Sequence, residues 1–379
     1  LANAGASKPA TLTPMQALVA DIWQQVLGVP VNAPDADFFV LGGKSLQAIA
    51  VISRLSQHLH CDLAAALLFQ NPNIFELSRE LGLIAPQFDD TVTALANDSA
   101  AALPLIDPAK SLQPLITLQQ GDGLPLFCIH PADGLALCYL GLAQHLPGLT
   151  IYGIQARAFT DQAPADFDAM IKDYLGLIRS VQPQGPYRLL GWSSGGGIAH
   201  ALAAALQSNG ETVPLLALMD AYPAQCWKNT PEPTPRDALL MMIDDAATAY
   251  DTQGELLPEA MLRERVMAPD SSLAALGAAT IDRMVDATLH TMRLYRTAIH
   301  PRFTGEALFF RAARRSADAP HWRSWQPLID GQINVIDIDS DHFGLYLREP
   351  LTLIAQQLAP LLRGAQSICD QHGVVGNAG

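Results

Sequence analysis

Apolar residues recur with two different periods along the chain, and the change of period divides it into two parts. In residues 13–84 they recur at three- and four-residue spacing, which is typical of amphipathic helices. Thr13-Pro14 and Gly28 carry the signals for the ends of a first helix. Further helices are predicted from Ser45, at 63–69 and from Asn73 to Leu83. Four short helices of this kind predict a small four-helix bundle.

From Leu115 onward, short apolar runs alternate with helical patterns, and this alternation predicts an α/β domain. The predicted strands lie at 115–118, 126–130, 150–155, 187–192, 215–220, 307–312 and 333–338. The predicted helices between them lie at 135–146, 166–180 and 196–208. Several strands are too apolar to have a solvated face. We therefore expect a mostly parallel sheet with helices on both faces.

Three kinds of segment complete the predicted organisation. Between the fifth and sixth strands the strand signal disappears, and helical patterns predict an insertion at about 224–300 that we expect to act as a lid. Residues 1–12, 85–112 and 364–379 lack periodicity and predict a disordered N-terminal tail, a linker and a flexible C-terminal tail. The predicted domains are therefore 13–84 and 113–363.

Composition and charge exclude several classes of function. The chain has 23 Lys and Arg against 37 Asp and Glu, a net charge of -14, which argues against nucleic-acid binding. Five scattered cysteines without a CxxC pair argue against a disulfide framework or a zinc site, so no metal is expected. No apolar run approaches the roughly 18 residues of a membrane-spanning helix, and no signal peptide is visible. These features predict a cytoplasmic protein with no membrane span.

The GWSSG sequence at 191–195 has the pattern of a nucleophile elbow. It follows a predicted strand directly and precedes a predicted helix, and its small residues allow a tight turn that lifts the central hydroxyl from the sheet edge. Ser193 is therefore the predicted nucleophile. We expect the backbone N–H of Ser194, the next residue, and that of Ala132, after the second strand, to stabilise an oxyanion.

A serine nucleophile needs a base and an acid that orients the base. His342 follows the last predicted strand, and Asp220 ends the strand after the elbow, so both side chains are expected at the carboxyl edge of the sheet. Asp318 is an alternative acid, but it lies far along a loop. Asp339 and Asp341 are close to His342 in sequence and are predicted to form a solvated turn.

A second serine has a different setting. In the sequence VLGGKSL at 40–46, two glycines precede Ser45 at the start of a predicted helix, where free N–H groups and the helix dipole favour an attached phosphate. The motif contains no histidine or other base. An attachment site therefore fits Ser45 better than nucleophilic catalysis, and the alternative is a plain serine N-cap.

The motifs resemble two families that occur together. Residues 13–83, with FFVLGGKSL, resemble peptidyl carrier protein domains. Residues 113–363, with PLFCIHPADG, GPYRLLGWSSGG, LMDAYP and SDHF, resemble the terminal thioesterase domains of nonribosomal peptide synthetases, and several segments look like the enterobactin synthase type. Two positions depart from these patterns. Lys44 stands where the carrier motif usually has histidine, and Ser194 replaces a bulky apolar residue.

The resemblance implies a function and a set of partners. Ser45 would carry 4'-phosphopantetheine, and Ser193 would accept the peptidyl chain from its thioester, with Asp220 and His342 completing a triad. The implied partners are upstream condensation and adenylation domains of the same synthetase, a phosphopantetheinyl transferase and a peptidyl thioester substrate. Release could occur by hydrolysis, by macrocyclisation or by transfer to another molecule, and the sequence leaves these open.

Two other functions are compatible with parts of the pattern. The chain could be a general serine esterase with an unrelated helical appendage. It could also be a noncatalytic docking module in which the bundle presents cargo and the hydrolase unit is inert, although an intact triad argues against that alternative.

Overall fold

The computed structural model describes residues 12–43, 45–61, 63, 67–68, 71–86, 113–157, 162–243, 249–251, 253–268, 271 and 278–364. Most of the predicted tails, linker and third carrier helix lie outside the described residues. The chain divides into two compact units, which are described separately. One unit comprises Leu1–Ser111 with Met242–Ile281, and the other comprises Leu112–Met241 with Asp282–Gly379.

Three helices lie in the predicted carrier region: α1, α2 and α3, at Pro14–Leu27, Ser45–His58 and Ile74–Ile84. The Thr13 side chain and the Gln16 side chain cap the start of α1 reciprocally, and Gly28 ends it with a left-handed φ of 69°. Asn73 caps α3 by accepting a hydrogen bond from the N–H of Glu76 at 2.8 Å. The predicted start and end signals of α1 and the predicted Asn73 cap of α3 are confirmed, and α3 ends one residue after the predicted Leu83.

Aromatic side chains form the centre of the carrier core. Trp23 of α1 and Phe38 of the following loop are fully buried, and their rings meet edge to face with centroids 5.1 Å apart. The N–H of Phe38 donates to the carbonyl of Pro72 at 2.7 Å. This bond joins the loop before α2 to the segment that leads into α3, so the loop that carries the Ser45 motif is held by the core.

All seven predicted strands are present in one sheet. The strands β1 to β7 lie at Leu115–Gln119, Asp122–Ile129, Leu149–Ile154, Arg188–Trp192, Leu215–Met219, Ala307–Ala312 and Ile333–Ile338. Their order is β1-β3-β2-β4-β5-β6-β7, with β1 antiparallel to β3 and every other pair parallel. The central strands β4 and β5 are buried along their whole length, which agrees with their largely apolar sequences. The exception is Arg188 at the start of β4, which is buried and donates to the carbonyl of Leu124 at 2.9 Å.

Helices follow the strands along the chain. They are α4 to α10, at Leu140–His145, Phe167–Val181, Ser194–Ser208, Pro235–Met242, Glu259–Val266, Ala278–Arg296 and Arg348–Gly364. Short 3-10 helices lie at Leu137–Tyr139, Ala224–Trp227, Trp322–Trp325 and Phe343–Tyr346. Among the described residues, no helix is long and apolar enough to cross a membrane.

The helix predicted at 135–146 begins later than its apolar pattern indicates. The N–H of Leu135 donates to the Asp133 carboxylate at 2.9 Å, and the N–H of Ala136 donates to the Gln155 side chain at 3.2 Å. The backbone of Ala136 has φ -90° and ψ 7°, outside the α-helical range, so the chain passes through the 3-10 turn at Leu137–Tyr139 before α4 begins.

The predicted helical insertion is present along the chain, since α7, α8 and α9 all lie between β5 and β6. Its role as a lid stays a prediction. The strand order also reverses direction between β2 and β4, because the chain moves from β2 outward to β3 and then returns to β4. Crevices at such switch points, outside the carboxyl ends of parallel strands, are the usual ligand sites of α/β sheets.

Candidate active site

Ser193 stands in a strained turn between β4 and α6. Its backbone has φ 55° and ψ -131°, a combination that residues with a Cβ rarely adopt. The N–H of Ser193 donates to the carbonyl of Met219 at the end of β5 at 3.0 Å, and its carbonyl accepts from the N–H of Gly196 at 3.1 Å. The turn is therefore fixed on both sides of the serine.

The glycines around Ser193 are required by close contacts between backbones. A Cβ on Gly191 would overlap the backbone of Gly195, and a Cβ on Gly195 would overlap the carbonyl oxygens of Ile129 and His130 at the end of β2. The start of α6 therefore packs directly on the end of β2. A side chain at Gly191 would push α6 away from β4, and one at Gly195 would push α6 away from the end of β2.

The structure brings the predicted nucleophile, base and acid together. The Nε2 atom of His342 lies 3.1 Å from Ser193 Oγ, and its Nδ1 atom lies 2.8 Å from Asp220 Oδ2. An ionised carboxylate only accepts hydrogen bonds, so Nδ1 carries the proton and Nε2 presents a lone pair to the hydroxyl of Ser193. The His342 side chain is 33% exposed, whereas that of Asp220 is 7% exposed.

Three donors hold the Asp220 carboxylate in its ionised form. Besides His342, the Tyr222 hydroxyl donates to Oδ1 at 2.7 Å and the N–H of Ala312 donates to the same oxygen at 3.3 Å. Burial on its own raises the pKa of this carboxyl, but the hydrogen bonds outweigh it, so the pKa of Asp220 is lowered. Arg315 in turn donates to the Tyr222 oxygen at 2.9 Å.

Trp192 connects the turn at Ser193 to the loop that carries His342. Its indole N–H donates to the carbonyl of His342 at 3.1 Å, and its ring lies 5.3 Å from the imidazole, centroid to centroid. The indole therefore restricts both the backbone and the ring of His342. Its own backbone N–H donates to the Tyr139 hydroxyl at 2.7 Å, and that hydroxyl donates to the carbonyl of Ile129 at 2.7 Å.

The two predicted oxyanion donors follow strands that flank the switch point. Ala132 is buried three residues after the end of β2, and Ser194 is the first residue of α6. Within the described part of the chain, neither backbone N–H has a hydrogen-bond partner. Both N–H groups are therefore available for another acceptor. The Ser194 hydroxyl is also buried without a partner in the described residues.

The alternative acids occupy other environments. Asp318 is exposed, Asp339 forms an exposed ion pair with Arg314 at 3.3 Å, and Asp341 accepts the N–H of Gly344 at 2.7 Å. Asp341 thus stabilises the turn that follows β7. Among the described residues, no group of histidines, cysteines or carboxylates could hold a metal ion.

Sequence reasoning missed the tyrosines that support these groups. Tyr222 lies two residues after Asp220 in the LMDAYP motif, so its proximity was visible, but its hydrogen bond to the carboxylate was not. The bridge that Tyr139 makes between β2 and β4 had no signal in the sequence, because it joins elements that are distant along the chain.

The backbone around Ser45 fits an attached phosphate ester. Gly42 has φ 95°, which favours glycine, and a Cβ on Gly43 would overlap the ring of Phe38, so the loop passes close to the core. Ser45 is the first residue of α2, and the first turn contains no acidic residue. The helix N-terminus is thus free to favour an anionic group. Lys44 lies outside the described residues.

Comparison with known proteins identifies both parts of the chain. The thioesterase domain family matches residues 124–360, and the phosphopantetheine attachment site family matches residues 17–81. The first match covers more than half of the chain and includes the sheet from β2 to β7. The second covers the helices around Ser45.

Similar proteins are multidomain synthetases. The chain is 34% identical to a dimodular nonribosomal peptide synthase of Bacillus subtilis over 92% of its own length. It is 33% identical to malpinin synthetase of Mortierella alpina over 93%, and 28% identical to enterobactin synthase component F of Escherichia coli over 92%. The chain spans only 14%, 4% and 24% of these relatives.

Solved structures share the fold at lower identity. A four-domain nonribosomal peptide synthetase, holo-AB3403, has a TM-score of 0.57 at 23% identity, covering 98% of this chain and 27% of that one. The Vlm2 thioesterase domain has a TM-score of 0.50 at 22% identity, covering 65% of this chain and 97% of that one. The chain belongs to the thioesterase domain family, and it joins this domain to a phosphopantetheine attachment domain in the manner of nonribosomal peptide synthetases.

Proposed function

We propose that this chain releases an acyl or peptidyl group from Ser45 of the carrier domain through an ester on Ser193. The observation that supports the proposal best is the continuous set of hydrogen bonds from Ser193 Oγ to His342 and on to Asp220, at 3.1 and 2.8 Å. A serine in a strained turn, with an oriented base in contact, has the requirements of a covalent catalyst.

The residues of the thioesterase domain have separate roles in this proposal. Ser193 Oγ attacks the thioester carbonyl of the substrate while His342 Nε2 takes its proton. Asp220 keeps the imidazole in the correct tautomer and stabilises the imidazolium that forms. The N–H groups of Ala132 and Ser194 stabilise the oxyanion. His342 then returns the proton to the leaving thiolate, which leaves the acyl group on Ser193.

The carrier domain supplies the substrate. When bound to Ser45, 4'-phosphopantetheine provides the thiol that holds the acyl chain as a thioester. A phosphopantetheinyl transferase would add this group, and condensation and adenylation domains of the same synthetase would extend the peptide. The long relatives support this arrangement, since the chain corresponds to a small part of each of them.

Release of the ester requires a second nucleophile, which His342 would deprotonate in the same way. Water would give a free acid, a hydroxyl or amine within the acyl chain would give a macrocycle, and an external nucleophile would give a conjugate. The mass of the product distinguishes these outcomes, because hydrolysis retains the elements of water and cyclisation does not.

The covalent step is tested by Ser193→Ala with a substrate thioester loaded on Ser45. We expect turnover to fall by about 10³-fold or more, and mass spectrometry to find an acyl adduct on Ser193 in the unmodified chain only. Ser208→Ala, at the other end of α6, is the matched control. Among the described residues, its exposed hydroxyl bonds only to the carbonyl of Ala205 within the helix. Continued turnover by Ser193→Ala would reject the proposal.

The carrier assignment is tested separately. Incubation with coenzyme A and a phosphopantetheinyl transferase should add the mass of one phosphopantetheine to the chain, and Ser45→Ala should prevent the addition. No mass increase would favour a general esterase with a helical appendage. Failure of Ser193 to react with a fluorophosphonate would favour a noncatalytic docking module.

A further inference from the structure

His130 is a fully buried histidine at the end of β2 that the proposed chemistry does not use. Its Nδ1 atom lies 2.6 Å from the carbonyl oxygen of Pro131, and its Nε2 atom lies 2.5 Å from the hydroxyl of Tyr174 on α5. Burial lowers the pKa of His130 to about 4, against the opposing effect of the bond to Pro131, so the ring is neutral near pH 7.

The two partners determine which nitrogen carries the proton. A carbonyl oxygen can only accept, so the short contact with Pro131 requires a proton on Nδ1. The ring is neutral, which leaves Nε2 as an acceptor for the hydroxyl of Tyr174. The opposite tautomer would place the Nδ1 lone pair against the carbonyl oxygen. The carbonyl of Pro131 thus selects the tautomer of His130, and the Tyr174 hydroxyl donates to the remaining nitrogen.

The Pro131 carbonyl belongs to the same peptide unit as the N–H of Ala132. Cis peptide bonds in the described residues are limited to Gly185-Pro186. The Pro131-Ala132 peptide is therefore trans, and in a planar trans peptide the C=O and N–H point in opposite directions. A bond that fixes the carbonyl oxygen also fixes the direction of the N–H. The N–H of Gly134 donates to the same oxygen at 3.1 Å.

We propose that His130 is a positioning residue for the oxyanion. By donating from Nδ1 to the carbonyl of Pro131, it holds the peptide in the orientation that aims the N–H of Ala132 at the reacting carbonyl beside Ser193. His130 itself exchanges no proton and does not contact the substrate. This inference rests on the proposed function, in which the N–H of Ala132 is one of two oxyanion donors.

The surroundings support an effect on orientation. The carbonyl of His130 lies so close to Gly195 that a Cβ there would overlap it, so the segment held by His130 is packed against the elbow itself. A peptide that turned over at this position would present the Pro131 oxygen to the developing negative charge and remove one donor. Loss of one such donor lowers kcat by about 10²–10³-fold in other acyl-transfer enzymes.

Two variants of similar size separate the two hydrogen bonds of His130. In His130→Asn, the side-chain amide nitrogen can take the place of Nδ1 and still donate to Pro131. In His130→Gln, the longer amide reaches the place of Nε2, retains a partner for Tyr174 and loses the donor to Pro131. With a small acyl thioester we expect His130→Gln to lower kcat by about 10- to 100-fold with little change in KM, and His130→Asn to retain kcat within about threefold.

A second pair tests the hydrogen bond from Tyr174 to His130. Tyr174→Phe removes the donor to Nε2 and leaves the buried lone pair of that nitrogen without a partner, and we expect kcat to fall by about threefold to tenfold. Tyr187→Phe is the matched control, because Tyr187 is also fully buried and its hydroxyl donates to the carbonyl of Gln182, away from Ser193. Tyr187→Phe should leave kcat unchanged.

Inhibitor binding distinguishes positioning from a general loss of structure. A trifluoromethyl ketone analogue forms an oxyanion on Ser193, whereas a thioether analogue binds without forming one. We expect His130→Gln to weaken binding of the ketone by about the same factor by which it lowers kcat, and to leave binding of the thioether unchanged. Equal weakening of both analogues, or unchanged kcat and ketone affinity in His130→Gln, would overturn the inference. If the unmodified chain formed no ester on Ser193, the proposed function would fail instead.

Discussion

The two serines that define this chain both mark the start of a helix, but they are held by contacts of very different range. Before Ser45, the loop is closed by neighbours, since the N–H of Gly43 donates to the carbonyl of Phe38 at 2.9 Å. Ser193 instead depends on residues from distant strands, and its hydrogen-bond partner His342 lies 149 positions further along the chain.

The difference follows from what each serine is proposed to do. A hydroxyl that is modified by another enzyme needs an exposed loop and a favourable helix end, which a short segment can provide. A nucleophile needs a base, an acid and oxyanion donors in fixed positions, and these come from several strand ends of one sheet. We therefore expect substitutions at one serine site to leave the other undisturbed.

The largest effect should come from Asp220→Asn, which keeps the shape of the side chain and removes its charge. The neutral amide can no longer stabilise the imidazolium or select the reactive tautomer of His342, so we expect kcat for a small thioester to fall by about 10³–10⁴-fold. Phosphopantetheine addition to Ser45 should proceed at its normal rate. Retention of kcat within tenfold would show that Ser193 does not depend on this distant partner.

A crossed pair of glycine variants should affect one serine each. The methyl group of Gly195→Ala would overlap the end of β2, and we expect kcat to fall by about 10²-fold because the elbow must shift. The methyl group of Gly43→Ala would overlap the ring of Phe38 and should slow phosphopantetheine addition to Ser45. Fluorophosphonate labelling of Ser193 and mass analysis of Ser45 measure the two effects. If either variant slowed both the labelling of Ser193 and the modification of Ser45, the two serines would not be structurally independent.

Acid should destabilise the thioesterase domain before the carrier. Burial lowers the pKa of His130 and His200 to about 4 and that of His300 to about 3, from an unfolded value of 6.5. The unfolded chain then binds more protons below pH 6.5, so stability falls as the pH drops towards the folded pKa values. The loss is about 2 kcal/mol for each ring at pH 5.

The carrier domain serves as the control for this pH effect, because none of its described histidines is buried. His58 is half-buried and His60 is exposed. Urea unfolding at pH 7 and pH 5, followed separately in each domain by hydrogen-exchange mass spectrometry, measures the difference. We expect the free energy of unfolding of the thioesterase domain to fall by several kcal/mol and that of the carrier to change little. Equal losses in both domains would contradict the prediction.

The smallest effect concerns strain at Ser193. Its positive φ favours glycine, so Ser193→Gly should have a free energy of unfolding about 1 kcal/mol higher than that of Ser193→Ala. Both variants lack the nucleophile and should be inactive, which leaves backbone conformation as the difference between them. Chemical denaturation of the two proteins provides the measurement. A more stable alanine variant would show that the turn is not strained.

Much of the fold was predictable because it follows from periodicity. All seven strands and the ends of α1 and α3 came from apolar spacing and capping residues. The order of the strands and the antiparallel direction of β1 did not, because they depend on which strands pair across the sheet. The helix after β2 was predicted to begin too early, since apolar spacing alone does not distinguish the turn and 3-10 helix at 135–139 from the α-helix that follows them.

The candidate site was also predictable only in part. Ser193, Asp220 and His342 could be chosen because each follows a strand at the same sheet edge, and the structure places their side chains in contact. The supporting hydroxyls of Tyr139 and Tyr222 could not be chosen, because a single hydrogen bond between distant elements leaves no periodic trace in the sequence. Candidate site residues at the strand ends are therefore easier to predict than the side chains that hold them in place.

The hydroxyl of Tyr139 joins the last residues of β2 and β4 through hydrogen bonds to Ile129 and Trp192. Moving these two strand ends apart would break both hydrogen bonds of this hydroxyl at once. Efforts to accept bulkier acyl groups should therefore leave the elbow unchanged and begin with libraries in the predicted lid between β5 and β6, with Asp220 and Tyr222 kept as they are.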